Sequence, residues 1–111
     1  MRSSTVAQSP DEIVRIAQEL GRRIAVARKR RRIRQEDLAA RTGLSRSSIQ
    51  SVERGDLSCS LGIVLHVLWN LGLAAEVALI ADPGLDRDGL ALALDVETKR
   101  VCVAQRPTDD F

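Results

Sequence analysis

The chain has 111 residues, which is enough for one small domain with at most a short appendage. Only 2% of its residues are aromatic, so the core must consist of Leu, Ile, Val and Ala, and this favours packed helices over an aromatic-rich β-sandwich. The net charge of +2 hides an asymmetry: residues 1–56 carry 13 Lys and Arg against 7 Asp and Glu, whereas residues 57–111 carry 4 against 8. The first half is therefore suited to a polyanionic partner, and the second half is not.

The first predicted elements are a polar arm and a long helix. Residues 1–9 are small and polar, and we expect a flexible N-terminal arm there. Ser9 and Pro10 are typical of the cap and first residue of a helix, which we expect to continue to about Arg31. Apolar residues at spacings of three and four predict one inward-facing stripe on this helix. The stripe consists of Ile13, Ile16, Ala17, Leu20, Ile24 and Ala27.

Two short helices joined by a glycine-containing turn come next. The first is predicted to begin at Arg34 and to end at Thr42, with Gly43 as its C-cap. Ser45 is the predicted N-cap of the second, which should end before Gly55. Two short helices connected in this way form a helix-turn-helix.

A fourth helix and a tail complete the predicted elements. The helix begins after Ser58 or Ser60, ends at Gly72 and should close the core. The next apolar run, Val77, Ala78, Leu79 and Ile80, is β-like. Residues 85–104 remain open between a hairpin and a helix, because their alternating Leu and Ala residues suit both.

A dense basic cluster lies between residues 22 and 34. Its members are Arg22, Arg23, Arg28, Lys29, Arg30, Arg31, Arg32 and Arg34. A charge run is usually a solvated helix face, but this run contains no acidic residue. Cations that repel one another are best neutralised by a polyanion, so we expect the cluster to meet DNA phosphates.

The start of the third helix carries the candidate base-reading residues. Only the first turns of a recognition helix reach base edges in the major groove. Arg46, Ser47 and Gln50 offer suitable donors and acceptors there, with Arg suited to guanine and Gln to adenine. We therefore predict base contacts from these three side chains.

These residues together resemble the Xre/Cro family of transcriptional regulators. The resemblance covers about half of the chain, from about Leu20 to Leu73. It rests on an ordered set of motifs: Gly21-Arg22-Arg23-Ile24, Arg28-Lys29, Ile33 to Ala39, Thr42 to Arg46, Ile49, Val52 to Gly55, and Leu68 to Leu73. It implies a mainly α, lambda-repressor-like domain of four to five helices over residues 10–73. The chain departs from the family at Arg32, where a turn glycine is usual, and at Arg34, where a Thr or Ser cap is usual.

The resemblance also implies roles for individual residues. Gln35 corresponds to a glutamine that holds a phosphate at the start of the second helix, and Arg28 with Glu53 corresponds to a structural pair between the first and third helices. The phosphate contacts predicted from the charge pattern and the resemblance together are Arg28, Lys29, Arg34, Gln35, Ser45, Ser48, Ser51 and Arg54.

Beyond this core the chain resembles the HipB-type antitoxins within the family. Its β-like run is similar to the strand that such antitoxins pair across their dimer, and residues 82–86 and 109–111 are similar to antitoxin tails. The resemblance implies that residues 74–111 serve dimerisation or partner binding. It implies a homodimeric repressor of a palindromic operator on double-stranded DNA, nucleoid-associated in a bacterial cytoplasm, with a HipA-like kinase toxin as partner. A stand-alone Xre-type repressor and a module that mainly neutralises a toxin remain as alternatives.

Other chemistry has little support in the sequence. Cys59 and Cys102 show no metal-ligand spacing and the chain has one His, so we expect no metal and two reduced thiols. No nucleophile with its base, phosphate-binding glycine loop or carboxylate pair is recognisable, so we expect neither an enzyme nor a cofactor. No apolar run approaches the roughly 18 residues of a membrane span, and the N-terminus lacks the apolar segment of a secretory signal.

Overall fold

The computed structural model describes the backbone of residues 10–103 and the side chains of residues 10–100. Its helices are α1 (Asp11–Arg30), α2 (Gln35–Thr42), α3 (Arg46–Arg54), α4 (Leu61–Asn70), α5 (Ala74–Val77) and α6 (Arg87–Val103). Residues 10–103 contain no β-strand. Contacts divide the chain into two units, with the boundary between Ala75 and Glu76. Within the described range no helix is both long and apolar enough to cross a membrane.

Helix α1 begins one residue later than predicted. Pro10 precedes the helix, and its carbonyl accepts hydrogen bonds from the backbone N–H groups of Ile13 and Val14 at 3.0 and 3.2 Å. The predicted Ser9 cap and the N-terminal arm lie outside the described residues. Asp11 and Glu12 lie in the first turn, and three basic residues lie in the last turn. The charges at both ends therefore interact favourably with the helix dipole.

The helix-turn-helix has the predicted caps. Gly43 and Gly55 end α2 and α3 in the left-handed region, with φ of 75° and 73°. Ser45 Oγ accepts from the backbone N–H of Ser48 at 3.0 Å, and Ser60 Oγ accepts from that of Ile63 at 3.2 Å. These caps confirm the predicted turn glycines and N-caps, and they select Ser60 over Ser58 at the start of α4.

The core of the first unit lies between its four long helices. Ile24, Leu38, Ile49 and Val67 are fully buried, one from each of α1 to α4. The predicted stripe on α1 is only partly packed, because Ile13 and Ile16 are 46% and 61% exposed. The close contacts between α1 and α3 begin at Ala17, so Ile13 and Ile16 lie before the part of α1 that packs on α3.

The strand predicted at Val77, Ala78, Leu79 and Ile80 is wrong. Val77 is the last residue of α5, and residues 78–81 form turns. The N–H of Leu79 donates to the Glu76 carbonyl at 3.2 Å, and the N–H of Ile80 donates to that of Val77 at 3.0 Å. These local bonds occupy groups that a strand ladder requires, and the neighbouring alanines favour helical backbone.

The tail is helical rather than a hairpin. Asp86 Oδ1 accepts from the backbone N–H of Gly89 at 3.0 Å and so satisfies a donor at the start of α6. The Leu and Ala residues that follow are strong helix formers, which explains why this alternative prevails. Leu90, Leu92, Leu94 and Val96 on this helix are between 51% and 67% exposed.

Candidate nucleic-acid interface

Helix α3 carries a polar outer face over a buried inner face. Ile49 and Val52 are buried at 0% and 4% exposure and fix the inner face to the core. Arg46, Gln50 and Arg54 follow at four-residue spacing, so they share the opposite face. Arg46 and Ser47 in the first turn are exposed, and neither side chain forms a hydrogen bond to another described residue. Both are free to donate to a ligand in front of this face.

A buried ion pair fixes α3 to α1. Arg28 Nε donates to Glu53 Oε2 at 2.5 Å, and Arg28 Nη2 donates to Glu53 Oε1 at 3.1 Å. The two side chains are only 9% and 8% exposed. Arg28 Nη1 also donates to the Ile33 carbonyl at 2.8 Å. The structure therefore brings together the pair that the resemblance implied, with the guanidinium directed at protein groups.

The same carboxylate holds a residue at the start of α2. Gln35 Nε2 donates to Glu53 Oε1 at 2.9 Å. Gln50 Nε2 in turn donates to Gln35 Oε1, at the long distance of 3.5 Å. The amide proposed for a phosphate and the amide proposed for a base are thus neighbours. Their orientation follows from Glu53 and hence from Arg28.

Two glycines allow the backbones of α1 and α3 to approach closely. A Cβ at Gly21 would lie 2.6 Å from the backbone oxygens of Val52 and Glu53. A Cβ at Gly55 would lie 2.4 Å from the backbone oxygen of Ala17. Both positions therefore exclude a side chain, and the backbone itself sets how α3 lies on α1.

Flanking carboxylates neutralise half of the basic cluster. Glu19 pairs with Arg22 and with Arg23, the latter at 3.0 Å, and Asp37 Oδ2 lies 3.2 Å from Arg34 Nε. Hydrogen bonding from Arg22 lowers the pKa of Glu19, and hydrogen bonding from Arg34 lowers the pKa of Asp37. Together with the buried Arg28, four of the eight basic residues face a carboxylate of this chain.

Four cations of the cluster have no such partner. Lys29, Arg30, Arg31 and Arg32 are exposed, and none pairs with a carboxylate among residues 10–100. Arg31 Nη1 donates to the Ala27 carbonyl of its own helix at 2.8 Å. Arg32 has a φ of 56°, in the left-handed region, at the position where the Xre/Cro proteins that the sequence resembles usually have a glycine. The arginine at this position therefore has a strained backbone conformation, which a glycine would adopt without strain.

The remaining predicted phosphate-binding residues lie at helix ends. Arg34 precedes α2, and its backbone N–H donates to Asp37 Oδ2 at 3.1 Å. A guanidinium cannot accept a hydrogen bond, so the Arg34 side chain does not cap the helix as the hydroxyl of a Thr or Ser would. Ser45 and Ser48 are joined through their hydroxyls at 3.0 Å. Near the other end of α3, Arg54 Nη2 donates to Ser51 Oγ at 3.2 Å.

Sequence reasoning overlooked the carboxylates beside the cluster and the bond from Gln35 to Glu53. Glu19 stands three and four residues before Arg22 and Arg23, and Asp37 stands three after Arg34. Those spacings bring side chains together on a helix and could have revealed the ion pairs. The contact between Gln35 and Glu53 joins residues 18 apart, and no spacing rule reports it.

Cys59 has the environment of a structural thiol. It is part-buried beside α4, and burial together with the nearby Asp56 raises its pKa. The thiolate is therefore disfavoured, and with it reaction with oxidants. His66 is exposed, and among the described residues no group of three His, Cys, Asp or Glu side chains could hold a metal ion.

Comparison with known proteins identifies the domain. A family model described as a helix-turn-helix domain matches residues 19–78, which is more than half of the chain. These residues include α2, α3 and α4, the Glu53 contacts and the exposed face of α3. No curated protein and no solved structure matches the chain significantly. The chain belongs to the helix-turn-helix domain family of DNA-binding regulators.

Proposed function

We propose that the protein is a sequence-specific transcriptional repressor of the Xre/Cro type, which reads DNA with α3. The observation that carries this proposal is the exposed polar face at the start of α3 on a rigid support. Arg46 and Ser47 have no partner among the described residues, while Arg28 and Glu53 lock the far end of the same helix. A helix presented in this way can enter a major groove without reorganising.

The proposed contacts divide into two classes. Arg46, Ser47 and Gln50 would contact base edges and specify the sequence. The phosphate contacts we propose, which position the domain, are Lys29, Arg34, Gln35, Ser45, Ser48, Ser51 and Arg54. Arg28 is left out of this set, because it is 7% exposed and its guanidinium is bonded to Glu53 and Ile33.

We propose a homodimer in which residues 10–73 of each protomer bind DNA and residues 74–111 of the two protomers bind each other. A two-fold dimer places one α3 in each half-site of a palindrome. The half-sites should then lie about one helical turn apart, near 34 Å.

Binding to the DNA upstream of its own gene tests the proposal. The full chain is titrated against that duplex and a scrambled duplex of equal length, at several salt concentrations. A preference of about a thousandfold or more for the upstream duplex supports a repressor. Equal affinity for both duplexes contradicts it.

Single variants test the assignment to α3. Arg46→Ala and Gln50→Ala should each relax preference at one base pair, at a cost of about 1–3 kcal/mol. Arg22→Ala and Gln18→Ala are the matched controls, since both residues are exposed on α1. Uniform weakening on all sequences by the α3 variants would contradict their role in base recognition.

A second candidate, the HipB-type antitoxin, has one supporting observation. Among residues 76–100 of the second unit, seven large apolar side chains are more than half exposed: Leu79, Ile80, Leu85, Leu90, Leu92, Leu94 and Val96. DNA contact does not account for such a surface, whereas a protein partner would. The expected partner is a HipA-like kinase encoded beside this gene.

Co-purification with that neighbouring kinase tests the second candidate. The full chain should retain the kinase, and a chain lacking residues 82–111 should not, although its residues 10–73 should still bind a DNA half-site. Equal retention by both chains contradicts a role for the tail. If the full chain binds operator DNA but does not retain the kinase, this result favours a stand-alone repressor.

A further inference from the structure

We propose that Arg32 is a phosphate ligand that binds the DNA backbone beside the bases read by α3. This inference rests on the proposed function that the chain binds DNA. It concerns the last residues of α1 and the turn that follows, residues 29–32, which we call the basic corner. The charge pattern predicts phosphate contact for the basic cluster as a whole, but Arg32 is not among the eight residues that are individually predicted to contact phosphates.

Charge is the first argument. The basic corner places four cations in succession, all exposed and none paired with a carboxylate among the described residues. The other four cations of residues 22–34 each have a carboxylate partner. The unneutralised charge of the cluster is therefore concentrated at this turn. A polyanion is the ligand that would relieve the repulsion.

The helix end accounts for three of these cations, but not for Arg32. Lys29 and Arg30 lie in the last turn of α1, where positive charge offsets the helix dipole. Arg31 bonds to a carbonyl of the last turns. Arg32 lies beyond the helix, and its side chain forms no hydrogen bond to a described residue. The helix gains little from a cation at this position.

Backbone conformation is the second argument. Arg32 adopts a φ of 56°, which glycine adopts without strain and residues with a Cβ avoid. Strained residues persist where the surroundings hold them, and they concentrate at sites of function. Here the flanking residues provide the restraint: Arg32 N–H donates to the Lys29 carbonyl at 2.9 Å, and Ile33 N–H donates to the Arg28 carbonyl at 3.3 Å.

The basic corner is also connected to the reading helix. The residue that follows it, Ile33, is buried, and its carbonyl accepts from Arg28, which in turn donates to Glu53 on α3. Gln35 bonds to the same Glu53 and to Gln50. The corner is thus one short hydrogen-bonded chain from a base-reading side chain. These hydrogen bonds restrain the backbone of the corner, so only the Arg32 side chain has to become ordered when it binds a phosphate.

Three variants of the full chain separate charge from strain. Arg32→Ala removes the charge and keeps the strain, whereas Arg32→Gly removes both. Arg22→Ala is the matched control, since it removes an arginine that Glu19 already neutralises. Each variant is measured for thermal unfolding and for binding to the upstream and scrambled duplexes over a range of salt concentrations.

We expect both Arg32 variants to lose affinity about threefold to tenfold, equally on the two duplexes, because a phosphate contact carries no sequence information. The slope of log affinity against log salt should become shallower by about 0.9 for one lost contact. Arg32→Gly should also raise Tm by about 5 °C, whereas Arg32→Ala should leave Tm nearly unchanged. Arg22→Ala should change the slope by less than half as much as either Arg32 variant.

Two results would overturn the inference while the proposed function stands. One is wild-type affinity and slope in both Arg32 variants of a chain that prefers the upstream duplex. The other is an equal change of slope in Arg22→Ala, which would mean diffuse charge rather than a contact. If the wild-type chain binds both duplexes equally, the proposed repressor fails, and the slope on the scrambled duplex still decides the role of Arg32. No binding to either duplex overturns both.

Discussion

At the scale of single residues, Glu53 joins three helices through one carboxylate. Its oxygens accept two hydrogen bonds from Arg28 on α1 and one from Gln35 on α2, while Glu53 itself lies on α3. Both charges are removed from water, so each is stabilised mainly by the other. If one group is lost, no solvent is available to stabilise the charge that remains. The orientation of α3 therefore depends on a buried ion pair.

Replacing Glu53 with Gln should strongly destabilise the fold. Glu53→Gln keeps the size of the side chain but leaves the Arg28 guanidinium buried without a counter-charge. We expect the free energy of unfolding to fall by about 3 kcal/mol, measured by urea denaturation.

The exposed carboxylate of Glu19 offers the matched control. Glu19→Gln breaks ion pairs with Arg22 and Arg23 at a solvated surface, and it should leave the unfolding free energy almost unchanged. Equal effects of the two substitutions would show that the Arg28–Glu53 pair contributes no more than a surface pair.

At the scale of elements, glycine determines the contact between α1 and α3. Ordinary helix packing is mediated by side chains, with axes 8–10 Å apart. Here Gly21 meets the last turn of α3, and Gly55 at the end of α3 meets Ala17. A methyl group at either position would meet backbone atoms, which cannot rotate away as a side chain can.

An alanine at Gly21 should therefore cost more than an alanine at a strained but open glycine. Gly21→Ala should lower the unfolding free energy by about 3 kcal/mol, because the two helices must separate. Gly43→Ala should cost only about 1 kcal/mol, since Gly43 has a positive φ but nothing within 4 Å of the added carbon. Chemical denaturation of both variants measures the difference. A larger loss at Gly43 would contradict the close approach of α1 and α3.

At this scale, the sequence predicts the features that depend on nearby residues, such as the helix caps. Gly43, Ser45 and Gly55 cap helices through bonds to residues within four positions, so their roles follow from composition and spacing. The stripe on α1 was predicted to be buried along its length, but burial of Ile13 needs a partner element that spacing does not report.

The errors have the same physical origin. The β-like run at Val77 was judged by its apolar residues, whereas its conformation is determined by local turn bonds and by the absence of a neighbouring strand in residues 10–103. The exposed face of α3 was accessible from sequence, because helical periodicity separates Arg46 and Gln50 from Ile49. The hydrogen bonds behind that face connect distant residues and required the fold.

At the scale of the whole molecule, all buried apolar side chains among residues 10–100 belong to the first unit. The buried apolar residues run from Ile24 to Leu71, and no residue between 76 and 100 is buried. Stability should therefore come from the first unit, whereas the second contributes apolar surface open to association.

Removing residues 76–111 should separate folding from association. The chain 1–75 should unfold cooperatively with a Tm within a few degrees of the full chain, because the core remains intact. It should sediment as a monomer and bind a single half-site more weakly than the full chain binds its palindrome. Circular dichroism and analytical ultracentrifugation make these measurements. An unfolded 1–75 chain, or a dimeric one, would contradict this division.

The close contact between Gly21 and α3 has a consequence for how such a protein can change its target. Backbone contacts and the Arg28–Glu53 pair hold α3 on α1, and the exposed side chains of Arg46 and Ser47 take part in neither. The residues that hold α3 in place are thus different from Arg46 and Ser47, two of the three residues proposed to contact bases. On the proposed function, exchange of a few outward side chains on the same scaffold should therefore change the DNA sequence that is bound, with little loss of stability.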